Sequence, residues 1–246
     1  MRKTPQSCAP DFTDLHPRRD FVRLLSTAGL LAAAPALSAA PEVKAKGKPA
    51  EDEEDVTPAE DLMREHGVLK RVLLVYDECR RRIAAKRELP PAAARDSATI
   101  IRTFIEAYHE KLEEEELFPR FRKAGRLVDL VDVLEAQHEA GRRVTERILA
   151  LAGAGLKGEG DREKLSAALG QFVRMYAPHE AREDTVLFPA IHKVVSRKEY
   201  DVLGDRFEKK EHELFGEDGF ERMVERIAGI EKSLGIYDLS QFTPRV

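Results

Sequence analysis

There is no tryptophan in this chain, and only two of its 246 residues are cysteines, Cys8 and Cys79. Cys8 lies in a segment read below as a removable leader. That leaves Cys79 without an internal partner, so the fold must hold without a disulfide. No segment sustains the period-two alternation of a half-buried strand, which argues against a β-sheet protein. Net positive charge is missing too. The formal balance is −4 and no Lys/Arg patch with interleaved aromatics stands out, so a general nucleic-acid binder is excluded. The longest apolar run, Leu24 to Ala40, is short, alanine-rich and interrupted by Pro35, so no stable membrane span is expected. What the chain does have is 42% apolar residues, enough for a core, and 35% charged residues, as long solvated helices carry.

The first 40 residues read as an address. Arg18-Arg19-Asp20-Phe21-Val22-Arg23, followed by the alanine-rich run, resembles a bacterial twin-arginine export signal. Small residues at Ala34, Ala36, Ser38 and Ala40 offer cleavage sites, although Pro41 disfavours a cut directly after Ala40. Export by that route, to the periplasm, would carry the protein across already folded. Residues 41–56 have no apolar period, run from basic to acidic, and read as a disordered linker.

From residue 57 the helical period takes over. Thr57-Pro58-Ala59-Glu60 is a capping box with Pro at the first helical position. The helix it opens carries Leu62, His66, Leu69, Leu73, Tyr76 and Ile83 on one face and should end before Pro90-Pro91. A second helix is expected from about Ala92 to Leu117, with breaks at Pro119 and Gly125, and a third from about Leu127 to Ala152. A glycine-rich loop, Gly153 to Gly160, leads to a fourth from about Asp161, with a kink at Pro178. The expectation is an all-α, up-down-up-down four-helix bundle over residues 57–192. Ser196 to Glu199 opens a C-terminal extension, residues 193–246, of two further amphipathic helices. These are expected to pack on the bundle or to mediate self-association as a homo-oligomer.

One stretch occurs twice. His109-Glu110-Lys111-Leu112-Glu113 runs into Leu117-Phe118-Pro119, and His179-Glu180-Ala181-Arg182-Glu183 runs into Leu187-Phe188-Pro189. Four residues make one helical turn, so each His/Glu pair projects from one face. The first and third helices add one core-face histidine each, His66 and His138. They precede the paired histidines by 43 and 41 residues, which makes the chain a twofold pseudo-repeat. Four imidazoles and two carboxylates converging inside an apolar core are costly unless they bind a metal or pair fully. These N/O donors, without thiolate, suit iron or manganese and are too many for one tetrahedral zinc. The natural count is two metals sharing Glu113 and Glu183 as bridges. His192 and His212 lie outside the pattern and read as surface residues, and Glu114 to Glu116 read as a solvated face.

The pattern His…His-x3-Glu…His…His-x3-Glu, with Leu-Phe-Pro after each pair, resembles the hemerythrin-like (HHE cation-binding) family. The stretch from Tyr176 to Pro189 is particularly similar. The resemblance covers roughly residues 57 to 192. It implies a four-helix bundle holding two Fe ions, oxo- or hydroxo-bridged, with Mn as the lesser choice. Its ligands would be His66, His109, Glu113, His138, His179 and Glu183.

Two departures from the oxygen-carrying members bear on function. Where they have a fifth histidine, one turn after the third-helix histidine, this chain has Arg142. Where they place an aspartate five residues after the last histidine, it has Asp184, beside Glu183. A four-residue step turns about 40° from the histidine and a five-residue step about 140°, which favours Glu183. Two histidines per iron would leave both metals open. That resembles the four-His branch of the family, and implies binding or turnover of O2, H2O2 or NO. The alternative is a metal-binding, storage or sensing module without turnover. Tyr108 and Tyr176, next to or one turn from a ligand, read either as core tyrosines or as hydrogen-bonding partners of a bound molecule. Gly141 either permits close helix packing or leaves room for that molecule, at a cost of about 1 kcal/mol relative to Ala.

Overall fold

The computed structural model describes residues 56–245. The export signal expected over residues 1–40 and, apart from Val56, the linker expected over 41–56 lie outside the described residues.

The first helix, α1 (Pro58–Ala84), begins at its capping box. The Thr57 hydroxyl accepts the Glu60 N–H at 3.3 Å, and the Glu60 carboxylate accepts the Thr57 N–H at 3.0 Å. The second helix, α2, spans residues 91–123 as one helical rod whose hydrogen-bonding pattern changes along its length. It is α-helical over Pro91–Ile100, widens to a π-helix over Ile101–His109, and widens again over Glu113–Leu117 before a final α segment, Phe118–Lys123.

The break expected at Pro119 is therefore absent, and the π turn accounts for it. Proline lacks an N–H, and its ring collides with the carbonyl four residues back. Widening the helix just upstream relieves that conflict, and the Phe118 N–H reaches back five residues to the Glu113 carbonyl. The helical path ends only near Gly125, at φ +62°.

The third helix, α3, covers Val128–Gly153, and the fourth, α4, covers Glu159–Arg182 and runs on past Pro178. The Leu-Phe-Pro copy in α4 repeats the device. A π turn, Glu183–Leu187, leads into a 3-10 segment, Phe188–Lys193, and the Phe188 N–H donates to the Glu183 carbonyl. In both halves the paired glutamate is thus the first residue of a π turn.

Helix α1 packs on α2 and α4, and α3 packs on the same two, which closes a four-helix ring. Its core is filled by Leu62, Leu69 and Tyr76 of α1, Phe104 of α2, Leu134 of α3 and Phe172 of α4, all essentially fully buried. Each fully buried Leu or Phe contributes roughly 1.5–3 kcal/mol. Two further helices, α5 (Arg197–Phe215) and α6 (Gly219–Ser233), lie against α1 and α2. The Phe215 ring meets the Tyr108 ring edge-on with centroids 5.4 Å apart, and Arg71 of α1 clasps Glu231 of α6 with two bonds, at 3.0 and 2.5 Å. Among the described residues there is no strand, and no helix is long and apolar enough to cross a membrane.

Candidate functional site

His66 of α1, His109 and Glu113 of α2, His138 of α3, and His179 and Glu183 of α4 meet inside the bundle, none more than 4% exposed. All four imidazoles turn Nε2 inward. Glu183 Oε2 lies 3.1 Å from His179 Nε2 and 3.4 Å from His66 Nε2. Glu113 Oε2 lies 3.4 Å from His138 Nε2 and 3.7 Å from His109 Nε2. Each carboxylate therefore sits between one histidine of the first half of the chain and one of the second. The rings form two pairs, His66 with His109 at 4.7 Å between centroids and His138 with His179 at 5.0 Å.

Each Nδ1 faces outward to a partner. His109 is held by Glu65 at 2.6 Å, His179 by Gln137 at 2.8 Å, His66 by Asp184 at 2.7 Å and His138 by Glu114 at 3.1 Å. An acceptor on Nδ1 fixes the tautomer that leaves Nε2 free to ligate and makes that nitrogen more basic. The arrangement obeys the twofold repeat. In each half the residue preceding the first histidine (Glu65, Gln137) holds the second histidine of the same half. The residue following each inward glutamate (Glu114, Asp184) holds the first histidine of the other half. Asp184 thus lies on the outer side of His66, while Glu183 faces inward. Glu114, expected on a solvated face, supports His138, and Glu116 pairs with Arg120 and Arg206. Glu115 alone of the three is exposed.

The remaining repeated residues enclose the cluster. Phe118 stacks on His138 with centroids 5.6 Å apart, and Phe188 stacks on His66 at 5.3 Å, so each Leu-Phe-Pro supplies a lid for the opposite half. Glu110 and Glu180, the residues after the paired histidines, are buried and take a cation each. Arg142 contacts Glu110 at 2.7 Å and Glu114 at 2.5 Å, and Lys70 pairs with Glu180. Lys70 and Arg142 each lie one turn past a first histidine, so Arg142 has a symmetry mate. The Tyr176 hydroxyl donates to Glu110 at 2.6 Å. A Cβ on Gly141 would collide with that hydroxyl, so the glycine makes room for Tyr176. The Tyr108 hydroxyl is buried beside the Glu65 carboxylate and makes no hydrogen bond of normal geometry among the described residues.

The cluster is electrostatically incomplete by itself. Among the described residues, all four oxygens of Glu113 and Glu183 are buried without a hydrogen-bond partner, as is His66 Nε2. Burial and the neighbouring Glu183 push the Glu113 carboxyl well above its usual range. In Glu183 the effect of burial is outweighed by His179 and His66, which hold it low. Burial and the other imidazoles push His109 well below the ordinary histidine value. Orphaned buried oxygens facing ligating nitrogens are what a bound cation would satisfy. The groups His66–His109–Glu113 and His138–His179–Glu183 each bring their ligating atoms within 4.8 Å of one another. The residues present fit a metal.

Residues 57–156 match the hemerythrin HHE cation binding domain. Uncharacterized proteins of Mycobacterium bovis and of two Mycobacterium tuberculosis strains are 48% identical over 248 residues, covering 99% of this chain and 94% of each relative. No solved structure matches. With its helical bundle and its buried His/Glu clusters, the chain carries a match to the hemerythrin HHE cation binding domain over residues 57–156, as a metal-binding module would.

Proposed function

We propose that the chain is a non-haem di-iron protein of the four-His branch that binds or turns over O2, peroxide or NO outside the cytoplasm. The observation that carries this reading is the convergence of four Nε2 atoms on two carboxylates whose oxygens have no other partner. Two ions are favoured over one because each carboxylate lies between histidines of both pairs, the position of a bridge. Six N/O donors without thiolate favour iron, then manganese, over zinc. Bound iron would supply redox chemistry and open positions for a small ligand. The chain's own residues supply the rest. Glu65, Asp184, Glu114 and Gln137 orient the imidazoles, Phe118 and Phe188 keep water off them, and the Tyr108 hydroxyl lies beside Glu65, the partner of His109. Arg142, tied to Glu110 and Glu114, brings no fifth imidazole, so each iron would have two.

In this reading residues 57–192 are the metal module, residues 193–246 extend it, and residues 1–40 direct twin-arginine export. Replacing Arg18 and Arg19 with Lys should then retain the precursor inside the cell, and unchanged export would remove that part. The chemical part is tested on purified, iron-loaded protein by visible spectroscopy on mixing with O2, H2O2 or NO. A spectral change with one of the three supports the reading. Bound iron that responds to none of them would favour a storage or sensing module.

A further inference from the structure

The residues around the centre do not treat the two ends of α1 alike. At its start, between α1 and α5, lies a cavity of 480 Å³ lined by Asp61, Asp201, Asp205, Glu208 and Glu211 against, among the described residues, a single cation, Arg64. That guanidinium is drawn aside, 3.7 Å from Asp61 but equally 3.7 Å from Glu221, and lies over the Phe220 ring. At the far end of α1 the large cavity is lined by six Lys and Arg against three Glu. His66 is five residues beyond Asp61, about 7.5 Å along the helix, and fourteen residues short of Arg80 in the basic cavity, about 21 Å. A cation approaching the bundle is therefore attracted to the end nearer the histidines and repelled from the other.

The acidic cavity does not stop at its own surface residues. One turn past Asp61, on the same face of α1, is Glu65, only 1% exposed. Its Oε2 accepts from His109 Nδ1; its carboxylate lies beside the equally buried Tyr108 hydroxyl, and neither Oε1 nor that hydroxyl makes a hydrogen bond of normal geometry among the described residues. Carboxylates thus step inward from exposed Asp201, Asp205 and Glu208, through half-buried Asp61 and Glu211, to Glu65, in a line short of positive charge.

We propose that this acidic cavity is the port through which a divalent cation enters, with Glu65 the last carboxylate passed before His109. The proposal rests on the metal reading above. It also gives the C-terminal helix α5 a part in the chemistry, since three of the five lining carboxylates are its exposed side chains.

The test is the rate of Co2+ uptake by the chelator-stripped full chain, followed in a stopped-flow instrument by visible absorbance. The triple variant Asp201→Asn, Asp205→Asn, Glu208→Gln removes surface charges without touching the core. It should load about tenfold more slowly at low ionic strength, with final metal content unchanged. The difference should collapse in about 0.5 M salt, where exposed charges are screened. A control with the same change in net charge, Glu146→Gln, Glu163→Gln, Glu225→Gln, should load like the wild type. Equal loading by wild type and port variant would overturn the port and leave the metal reading standing, and so would equal slowing of both variants. A wild type that takes up no Co2+ would overturn both.

Discussion

The hydroxyl of Tyr176 on α4 occupies the space that a Cβ on Gly141 of α3 would fill. From there it donates to Glu110 of α2 at 2.6 Å, which ties three helices together beside His138 and His179. Gly141→Ala must displace it and should destabilise the protein by about 1–3 kcal/mol, the usual cost of overpacking. Gly67→Ala on α1, where an added Cβ meets nothing within 4 Å, should instead stabilise by roughly 0.5–1 kcal/mol. Urea denaturation of the two variants checks the contrast. If Gly141→Ala behaves like Gly67→Ala, the packing account is wrong.

Adjacent Glu183 and Asp184 should answer to substitution differently. Glu183 faces inward between His66 and His179, whereas Asp184 holds His66 from outside. Glu183→Gln should lower the number of metal ions bound. Asp184→Asn should keep the number and weaken affinity about 10- to 100-fold, as loss of an outer partner typically does. Metal analysis with chelator competition reads both quantities, and the reverse pattern would exchange the two roles.

Arg142 stands where a further ligand would be sought, but its contacts are those of an ion pair. Arg142→Met leaves Glu110, 1% exposed, without its cation, and should cost about 2–4 kcal/mol, somewhat below a fully enclosed pair because Arg142 is partly exposed. Lys70→Met should act in the same direction through Glu180, and less strongly, because Lys70 is half exposed. Thermal unfolding of both variants, stripped of metal, tests the pairing. No loss in Arg142→Met would refute it.

Much of this arrangement can be read from sequence because helices repeat on a known period. The capping box at Thr57 and Glu60, the all-α class and the inward set of four histidines and two glutamates all follow from residues spaced three or four apart. The residues that hold those histidines escape such a reading for a geometric reason. Glu65, Glu114, Gln137 and Asp184 are each the immediate neighbour of an inward residue, and one step turns about 100° around the helix. They fall on the flank, where charged residues ordinarily meet water. Pro119 misled for a different reason. Whether proline ends a helix or follows a π turn depends on packing, here Phe118 against His138, and not on the dipeptide itself.

The metal-free protein should lose stability as pH rises above neutrality. Burial opposes the charged form of His66, but Asp184 and Glu183 outweigh it and hold the imidazole up at about 9. The unfolded value is about 6.5. A raised histidine contributes stability that is fully present below the unfolded value and is lost as pH climbs through the folded one. The contribution that fades between about pH 6.5 and 9 is on the order of 3 kcal/mol. Denaturation of chelator-stripped protein across that window should show the fall, and Asp184→Asn should flatten it. A stability that rises from pH 7 to 9 would contradict the assignment.

In the proposed centre His66, His109, Glu113, His138, His179 and Glu183 together hold two metal ions. Anaerobic Fe2+ titration of the stripped full chain, with metal analysis after desalting, tests it most directly. The wild type should hold two irons per chain, and the double variant Glu113→Gln, Glu183→Gln should lose both with the helical signal retained. A wild type that retains no iron, or a double variant that still binds two, would contradict it.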